Sequence, residues 1–252
     1  MEIVEMFDLV RSHPILATVT MFAGTALASE LLWKAIQYAR RHSRRRRVHE
    51  VLFFNELGEI CLDHHRGKSF TNTNDCSNSH CSLRSLEKIA VLMDEAQYSI
   101  DVAIYTFTSN TLWLALKRAL QRGVSIRVIS DREMVYSSSS KIQEMAAFGV
   151  PVRGPFKTDL IMHHKFCVID GLARVQEILQ MKQRKWPRPY ESVLVSGSVN
   201  WTNSGFGANY ENCTISSDEV MTRQYQEEFN RMWKFFGDTA EKFLESSVEK
   251  CE

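Results

Sequence analysis

The stretch MHHKFCVID, residues 162–170, is the most informative part of the sequence. Within it, His163 and Lys165 stand two residues apart and run into an apolar segment typical of a buried strand. Alternate residues of a strand point to the same face, so the imidazole and the ammonium are expected side by side, with His164 facing away. An imidazole can attack phosphorus or deliver a proton, and a nearby cation offsets the charge on phosphoryl oxygens. The stretch therefore predicts a site for a phosphodiester.

Two later segments extend this predicted site. Residues 197–202 read GSVNWT and follow an apolar run, so Ser198 and Asn200 also share one face. Glu211 opens another strand-like segment, and its carboxylate is expected to hold one nitrogen of the imidazole and leave the other free. Asp170 is expected to hold the strand rather than to touch phosphate. The predicted catalytic set is His163, Lys165, Asp170, Ser198, Asn200 and Glu211.

The pattern HxKx4D, followed by GSxN and a glutamate, resembles the phospholipase D superfamily. Over roughly residues 14–236 the chain looks like the Zucchini or mitochondrial phospholipase-D-like group. The resemblance implies a reaction that needs no active-site metal, in which one histidine attacks phosphorus and a second protonates the leaving oxygen. The sequence contains one such motif and no internal repeat. The two histidines are therefore expected to come from a homodimer in which two copies of His163 meet.

The substrate is not decided by the pocket residues, because the phosphoryl chemistry is the same for each candidate. The resembling group is described with two activities: endonucleolytic cleavage of single-stranded RNA in Piwi-interacting RNA biogenesis, leaving 5′-monophosphates, and hydrolysis of cardiolipin to phosphatidic acid. Residues 171–191 combine cations with Trp186 and Tyr190, and this favours a wall for single-stranded nucleic acid. The same composition fits a solvated excursion or a membrane-facing loop equally well. RNA is the favoured substrate, with cardiolipin second and a non-catalytic membrane-anchored scaffold third.

Composition sets the broad class of the protein. The 252 residues are 44% hydrophobic and 24% charged, as expected for one folded domain with an extension, or at most two small domains. The formal net charge of +1 argues against a global basic field for nucleic acid. The six cysteines show no secretory framework, so a reducing compartment is expected.

An apolar segment at residues 14–33 is followed by a basic cluster that ends at Arg47. Its length is marginal but sufficient for a membrane-spanning helix, and the positive flank would place the rest of the chain in the cytosol. Residues 1–47 are therefore predicted to be a transmembrane anchor with a basic flank. The alternative is an amphipathic or core helix. The resemblance implies a single-pass protein of the mitochondrial outer membrane with its catalytic domain facing the cytosol.

Residues 61–81 form a polar loop that is rich in cysteine and histidine. Such a loop inside a domain needs a stabilising element, and a closed four-ligand zinc site would provide one. The predicted structural zinc ligands are Cys61, His64, Cys76 and Cys81, with His65 or His80 as alternative ligands. The other interpretation is a flexible loop with free thiols. Zucchini-type proteins carry a small zinc-binding insertion at this place, which favours the metal.

The remaining pattern alternates between strand and helix periodicities, which predicts an α/β fold with a mixed β-sheet flanked by helices. The catalytic domain is assigned to residues 48–236 and a polar tail to residues 237–252. Strands are expected near residues 48–57, 99–107, 124–130, 150–153, 163–170, 192–196 and 211–215. Helices are expected near residues 82–97, 109–123, 140–148 and 218–236.

Overall fold

The computed structural model describes residues 13–43, 48–59, 76–156 and 160–237. The chain divides into two compact units, Met1–Arg46 and Arg47–Glu252. In chain order the elements are α1 (Pro14–Ser43), β1 (His49–Phe54), α2 (Glu56–Glu59), α3 (Ser82–Glu95), β2 (Ser99–Ile104), α4 (Asn110–Gln121), β3 (Ser125–Ser130), α5 (Arg132–Val135), α6 (Ile142–Ala147), β4 (Val152–Arg153), β5 (Lys165–Ile169), α7 (Leu172–Met181), β6 (Val193–Gly197), α8 (Asn203–Gly207), β7 (Glu211–Ser216) and α9 (Glu219–Phe235).

The described part of the first unit is the helix α1, which begins at Pro14. Proline is favoured in the first turn of a helix because the amide hydrogen that it lacks would have no partner there. Large apolar side chains, among them Phe22, Leu31 and Leu32, are exposed along α1. The sequence predicted a spanning anchor over residues 14–33. Among the residues that the structure describes, no helix is both long and apolar enough to cross a membrane.

The second unit is built on a seven-stranded sheet with the order β1-β7-β6-β5-β2-β3-β4. The strands β2, β3 and β4 are parallel, and β5 joins them antiparallel to β2. Antiparallel pairing then continues through β6 and β7 to β1. The sheet is therefore mixed and flanked by helices, as the alternating pattern predicted.

Both faces of the central strand β2 are covered. Ile100, Val102 and Ile104 belong to the larger apolar cluster, which also holds the buried residues of α3 and α4. Ala103 faces a second cluster, to which Phe229 of α9 contributes. Because side chains alternate across a strand, burial on both faces explains why this segment is apolar almost throughout.

A buried ion pair ties α9 to the sheet. The guanidinium of Arg127 donates to both carboxylate oxygens of Asp101, at 2.8 and 2.6 Å. Gln226 of α9 donates to the same carboxylate at 2.8 Å, and Asn230 accepts from Arg127 at 2.9 Å. These directional bonds specify how α9 lies on the sheet, since a buried charge that lost its partner would be costly.

The predicted helix ends are confirmed in part. The side chain of Ser109 caps α4 by accepting from the Leu112 amide, and Gly123 follows that helix with a φ of 80°. The prediction that Ser82 caps the next helix was wrong: α3 begins at Ser82, and the residue before it, Cys81, makes no side-chain capping bond. The helix α7 was not predicted at all, because the charged residues that follow it obscured the apolar spacing of Val175 and Ile178.

Candidate active site

The catalytic pair predicted from the sequence lies at one end of β5. The strand begins at Lys165, so His163 precedes it. The Tyr105 amide donates to the His164 carbonyl at 2.9 Å, which joins this segment to the end of β2. The Lys165 Nζ lies 2.9 Å from the His163 Nε2 and also donates to the His163 carbonyl at 2.9 Å. The imidazole and the ammonium are therefore adjacent, as predicted.

The contact between these two groups indicates which nitrogen of the imidazole is available. An ammonium has only donors, so the Nε2 that faces it must accept and carry a lone pair. Burial lowers the pKa of Lys165, and the nearby charge of Glu211 opposes that shift. When an anionic phosphoryl group binds, the ammonium can turn to its oxygens and release Nε2 for attack on phosphorus.

Ser198 and Glu211 come together through the pairing of β6 with β7. The Ser198 hydroxyl donates a short hydrogen bond to Glu211 and accepts from the Asn212 amide at 3.1 Å. The second partner of the Glu211 carboxylate is the Asn209 amide nitrogen at 3.3 Å. In the described residues of the single chain, Glu211 does not bond to the imidazole of His163. The predicted orienting role of Glu211 is not seen because Ser198 occupies the carboxylate.

Backbone hydrogen bonds of the next residue, Trp201, hold Asn200 at the same end of the sheet. The Trp201 amide donates to the Thr106 carbonyl at 3.1 Å, and the Thr108 amide donates to the Trp201 carbonyl at 2.8 Å. The indole of Trp201 also packs edge-on against Phe107. Asn200 thus lies beside the segment that follows β2, and its buried Oδ1 accepts no hydrogen bond from the described residues.

Asp170 lies at the opposite end of β5 from the catalytic pair. From Lys165 to Asp170 the chain advances by five strand steps, which corresponds to roughly 16 Å. Its carboxylate accepts hydrogen bonds from the amides of Gln97, Tyr98 and Ser99 at 2.7, 2.7 and 2.8 Å. Asp170 therefore fastens the strand, as expected. It lies outside the pocket, although the predicted catalytic set included it.

Tyr105 is a site residue that the sequence analysis missed. Its ring centroid lies 4.6 Å from that of His163, and the Lys165 Nζ lies 5.1 Å from the Tyr105 centroid. One ring therefore contacts both members of the catalytic pair and favours positive charge on either. Its signal was present as the aromatic residue directly after a buried strand, but only strand pairing shows what lies beside it.

Replacing Tyr105 by leucine should lower kcat about tenfold and leave KM nearly unchanged. The expected loss corresponds to the removal of an aromatic face that orients the two side chains, an interaction of about 1.4 kcal/mol. The measurement is steady-state cleavage of a phosphodiester across a pH series. Tyr105→Phe, which keeps the ring, is the matched control and should behave like the natural chain. An equal loss in both variants would contradict a role for the ring.

A cavity of about 410 Å³ opens beside the catalytic pair. Its lining comes from β5 with the two residues before it, from the end of β6 and from α9, which contributes Gln224, Tyr225 and Glu228. The ring of His164 meets Phe166 edge-on, with centroids 5.3 Å apart. His164 thus diverges from His163 as expected, yet both side chains line this cavity.

The basic and aromatic insertion is not beside the pocket. The strands β5 and β6 are antiparallel, and Ile169 pairs with Val193, so residues 171–191 connect them at the end opposite His163. Arg174 is buried and bonded to Glu177 and Ser125, so it is not available to a nucleic-acid backbone. The interpretation of this segment as a wall of the catalytic site was wrong, because the sequence does not show on which end of a hairpin a connection lies.

The predicted zinc site is described only in part. Cys61 and His64 lie outside the described residues, as does the alternative ligand His65. Cys76 and Cys81 are both buried and share one small cluster, packed against Leu83. In the described ranges no group of three or more potential metal ligands comes together. The zinc site therefore stays a prediction.

Comparison with known proteins agrees with this geometry. Residues 89–233 match the family described as cardiolipin synthase, PLD-like domain. A mitochondrial cardiolipin hydrolase of Drosophila melanogaster is 51% identical over 236 residues, which cover 91% of this chain and 93% of that protein. A mitochondrial cardiolipin hydrolase of Xenopus tropicalis is 31% identical over 232 residues, covering 90% of this chain and 94% of its own length.

Among solved structures, NucT from Helicobacter pylori shares the fold, with a TM-score of 0.53 and 18% identity over 75% of this chain and 97% of that chain. The family match and the Drosophila relative support an enzyme over the scaffold alternative. The chain belongs to the PLD-like family and is a phosphodiesterase, a hydrolase of the phospholipase D superfamily.

Proposed function

We propose that this phosphodiesterase is a single-strand-specific endoribonuclease of Piwi-interacting RNA biogenesis that leaves 5′-monophosphates. The observation that carries the proposal is the His163–Lys165 contact in the lining of a cavity that also presents hydrogen-bonding side chains. The pair supplies the phosphoryl chemistry. The lining of the cavity is mostly apolar, with hydrogen-bonding groups at Gln224, Glu228 and His164. This combination suits a nucleobase, which has apolar faces and a polar edge.

The proposed reaction uses two copies of His163 from a homodimer. Nε2 of one imidazole attacks phosphorus, so that a P–N bond forms while the bond from phosphorus to the leaving oxygen breaks. The partner imidazole, in its protonated form, donates a proton to that oxygen. Water then attacks the phosphohistidine, the partner imidazole takes its proton, and the first histidine is regenerated. Lys165 and Asn200 hold the non-bridging oxygens throughout.

A single chain lacks the second histidine that the proposed reaction needs, and this supports a dimer. The sequence has one HxKx4D motif, and the neighbouring His164 turns toward Phe166 instead of toward the Nε2 of His163. Exposed apolar residues at Leu160 and Ile161, directly before the motif, fit a surface that another chain covers. A second copy placed over this end of the sheet would bring the two imidazoles onto one phosphorus.

Cardiolipin is the second candidate substrate. It is favoured by the names of the Drosophila and Xenopus relatives. The same exposed side chains at Leu160 and Ile161 could also enter lipid. Both substrates present a phosphodiester to the same pair, so the reaction would be identical and only the surrounding contacts would differ.

The deciding experiment incubates the purified full chain with labelled single-stranded RNA, single-stranded DNA and vesicles that contain cardiolipin. Cleavage of both nucleic acids to 5′-monophosphates is expected, because the mechanism does not use the 2′-hydroxyl. A 2′,3′-cyclic phosphate product would contradict the mechanism. Release of phosphatidic acid without cleavage of either nucleic acid would make the protein a cardiolipin hydrolase instead.

The location proposed for this enzyme is the cytosolic surface of the mitochondrial outer membrane, with α1 as its attachment. The exposed apolar side chains of α1 and the basic residues after it support membrane binding, and so do the relatives named as mitochondrial. Alkaline extraction of mitochondria distinguishes a helix that spans the membrane from a helix that lies on its surface. A single-pass anchor stays in the pellet, and a peripheral helix is released.

Structural zinc completes the proposal. The paired burial of Cys76 and Cys81 next to the start of α3 fits two thiolate ligands, and Cys61 and His64 would supply the others. The ion would stabilise the loop and take no part in the reaction. Metal analysis of the purified chain should find about one zinc per chain. The substitutions Cys76→Ser and Cys81→Ser should remove it; retention of zinc by both variants would contradict this ligand set.

A further inference from the structure

The geometry points to a nucleobase subsite in the cavity between His164 and α9, next to the phosphate that is cleaved. This inference rests on the proposed nuclease function and names the part of the substrate that the site contacts. The cavity is lined by His163 and Lys165 themselves, so a phosphate held by that pair places its neighbouring nucleoside at the cavity mouth. A volume of about 410 Å³ lies within the usual range for small-molecule sites.

The aromatic wall of the cavity is Tyr225. Its ring meets Phe166 edge-on, with centroids 5.0 Å apart, and its hydroxyl accepts from Ser196 at 3.1 Å. These two contacts hold the side chain in one position. An ordered aromatic side chain beside a phosphate site suits a nucleobase, because every base has a π-face that packs on such a ring.

The remaining groups provide hydrogen bonds for the edge of a base. Gln224 offers both an amide donor and an acceptor, and His164 offers ring nitrogens. Glu228 adds a carboxylate, which can accept from exocyclic amino groups. An acyl chain in the same cavity would remove Gln224 and His164 from water without giving them hydrogen-bond partners, at a cost of about 1–3 kcal/mol for each.

Charge distinguishes the base from the neighbouring phosphates. Glu228 pairs with Arg231, from which its two oxygens accept at 2.6 and 2.7 Å. Because the charge of Glu228 is offset by this pairing, the wall offers a second phosphate no added attraction, and the uncharged part of the nucleotide is the part that fits.

The helix that carries these residues is held firmly. On the opposite side of α9, Gln226 is buried and bonded to Asp101, within the network around Arg127. Gln224 and Glu228 are therefore presented from a rigid element at a constant distance from the catalytic pair. Rigid presentation is what a recognition site requires.

The test uses the full chain and short single-stranded DNA in which all linkages except one are methylphosphonates, so that cleavage occurs at one phosphodiester. Abasic nucleotides are placed on one side of this linkage, on the other side, or several positions away. One of the two flanking abasic substrates should be cleaved with a kcat/KM about tenfold lower than the intact substrate. The distant abasic substrate should show no loss.

Variants of the cavity residues test whether the lower kcat/KM on an abasic substrate, the abasic penalty, arises from this cavity. In Gln224→Ala and in Glu228→Gln, cleavage of the intact substrate should fall several-fold and the abasic penalty should shrink to about twofold, since a lost contact cannot be lost twice. Both residues lie on the surface of α9, so folding should not be affected. Glu227→Gln is the matched control, because Glu227 is exposed and pairs with Arg223 outside the cavity.

Two results would overturn the assignment. The first is full-rate cleavage of both flanking abasic substrates by the natural chain, which would leave the nuclease function intact and remove only the subsite. The second is an equal abasic penalty in the natural chain and in both cavity variants. If no oligonucleotide is cleaved while cardiolipin is, the nuclease proposal itself fails. A loss of that lipid activity in Gln224→Ala would then assign the cavity to lipid.

Discussion

The variant His163→Ala is expected to cleave phosphodiesters at least about 10⁴-fold more slowly than the natural chain. In the proposed homodimer the substitution removes the nucleophile and the general acid together, and each contributes several orders of magnitude in rate. Lys165 would remain in place and still bind the phosphoryl oxygens, so binding of the substrate should change far less than the rate. The measurement is single-turnover cleavage of a labelled oligonucleotide, with binding followed separately.

Mixing the variant with the natural chain tests whether the site is shared. If two copies of His163 act on one phosphorus, random pairing of equal amounts leaves about a quarter of the dimers active. If each chain acts alone, about half of the activity remains. His49→Ala is the control, because His49 lies on β1 and bonds to Ser216, outside the site. Mixtures with that variant should keep full activity.

The variant Asp170→Asn is expected to lose about 1–3 kcal/mol of the free energy of unfolding. Asp170 is buried, and its two oxygens accept from three backbone amides. The carboxamide keeps one oxygen, which can still accept from Tyr98 and Ser99, and its amino group then faces the Gln97 amide. That buried donor is left without a partner, which costs about 1–3 kcal/mol. Urea denaturation followed by circular dichroism measures the loss. Asp94→Asn, which breaks an exposed pair with Arg118, should cost less than about 1 kcal/mol.

The pH dependence of stability gives a second readout for Asp170. Burial raises the pKa of this carboxyl from 3.8 to about 6, against the lowering effect of the three amides. The folded chain therefore holds the proton at a pH where the unfolded chain has released it. The resulting stability is fully present below about pH 4 and is lost as the pH rises through about 6. Asp170→Asn should lack this component.

A measurement of activity distinguishes whether Asp170 only fastens the strand or takes part in the reaction. At a temperature where the variant is folded, its kcat should remain within about tenfold of the natural value, because the side chain lies roughly 16 Å from the catalytic pair. A variant that folds with natural stability but loses activity about a thousandfold would place Asp170 in the reaction instead.

Much of the fold follows from local periodicity. The alternation of Ile100, Val102 and Ile104, and the apolar spacing in α3 and α4, are visible in the sequence because each element buries one face or both. The connection between β5 and β6 was misplaced because composition shows that a segment is basic and aromatic but not where it lies. Its position depends on which strand ends pair, and Ile169 pairing with Val193 is a long-range contact.

The residues of the candidate site also divide into those whose neighbours the sequence predicted and those whose neighbours it did not. His163 and Lys165 were predicted to be adjacent because two residues of extended chain share a face, and their nitrogens lie 2.9 Å apart. Glu211 was assigned to the imidazole, but the pairing of β6 with β7 brings it to Ser198. Tyr105 had no motif to identify it, since its contact with His163 arises from the pairing of β2 with β5.

The sequence by itself determined the reactive groups, the family and the mixed α/β class, because these depend on residue types at short spacings along the chain. Only the tertiary structure decided that Tyr105 lies against the catalytic pair, that Asp170 fastens the far end of β5, and that α9 forms a wall of the cavity. The physical reason is that strand pairing and the buried network around Asp101 bring together residues distant in sequence, and no local spacing encodes those distances.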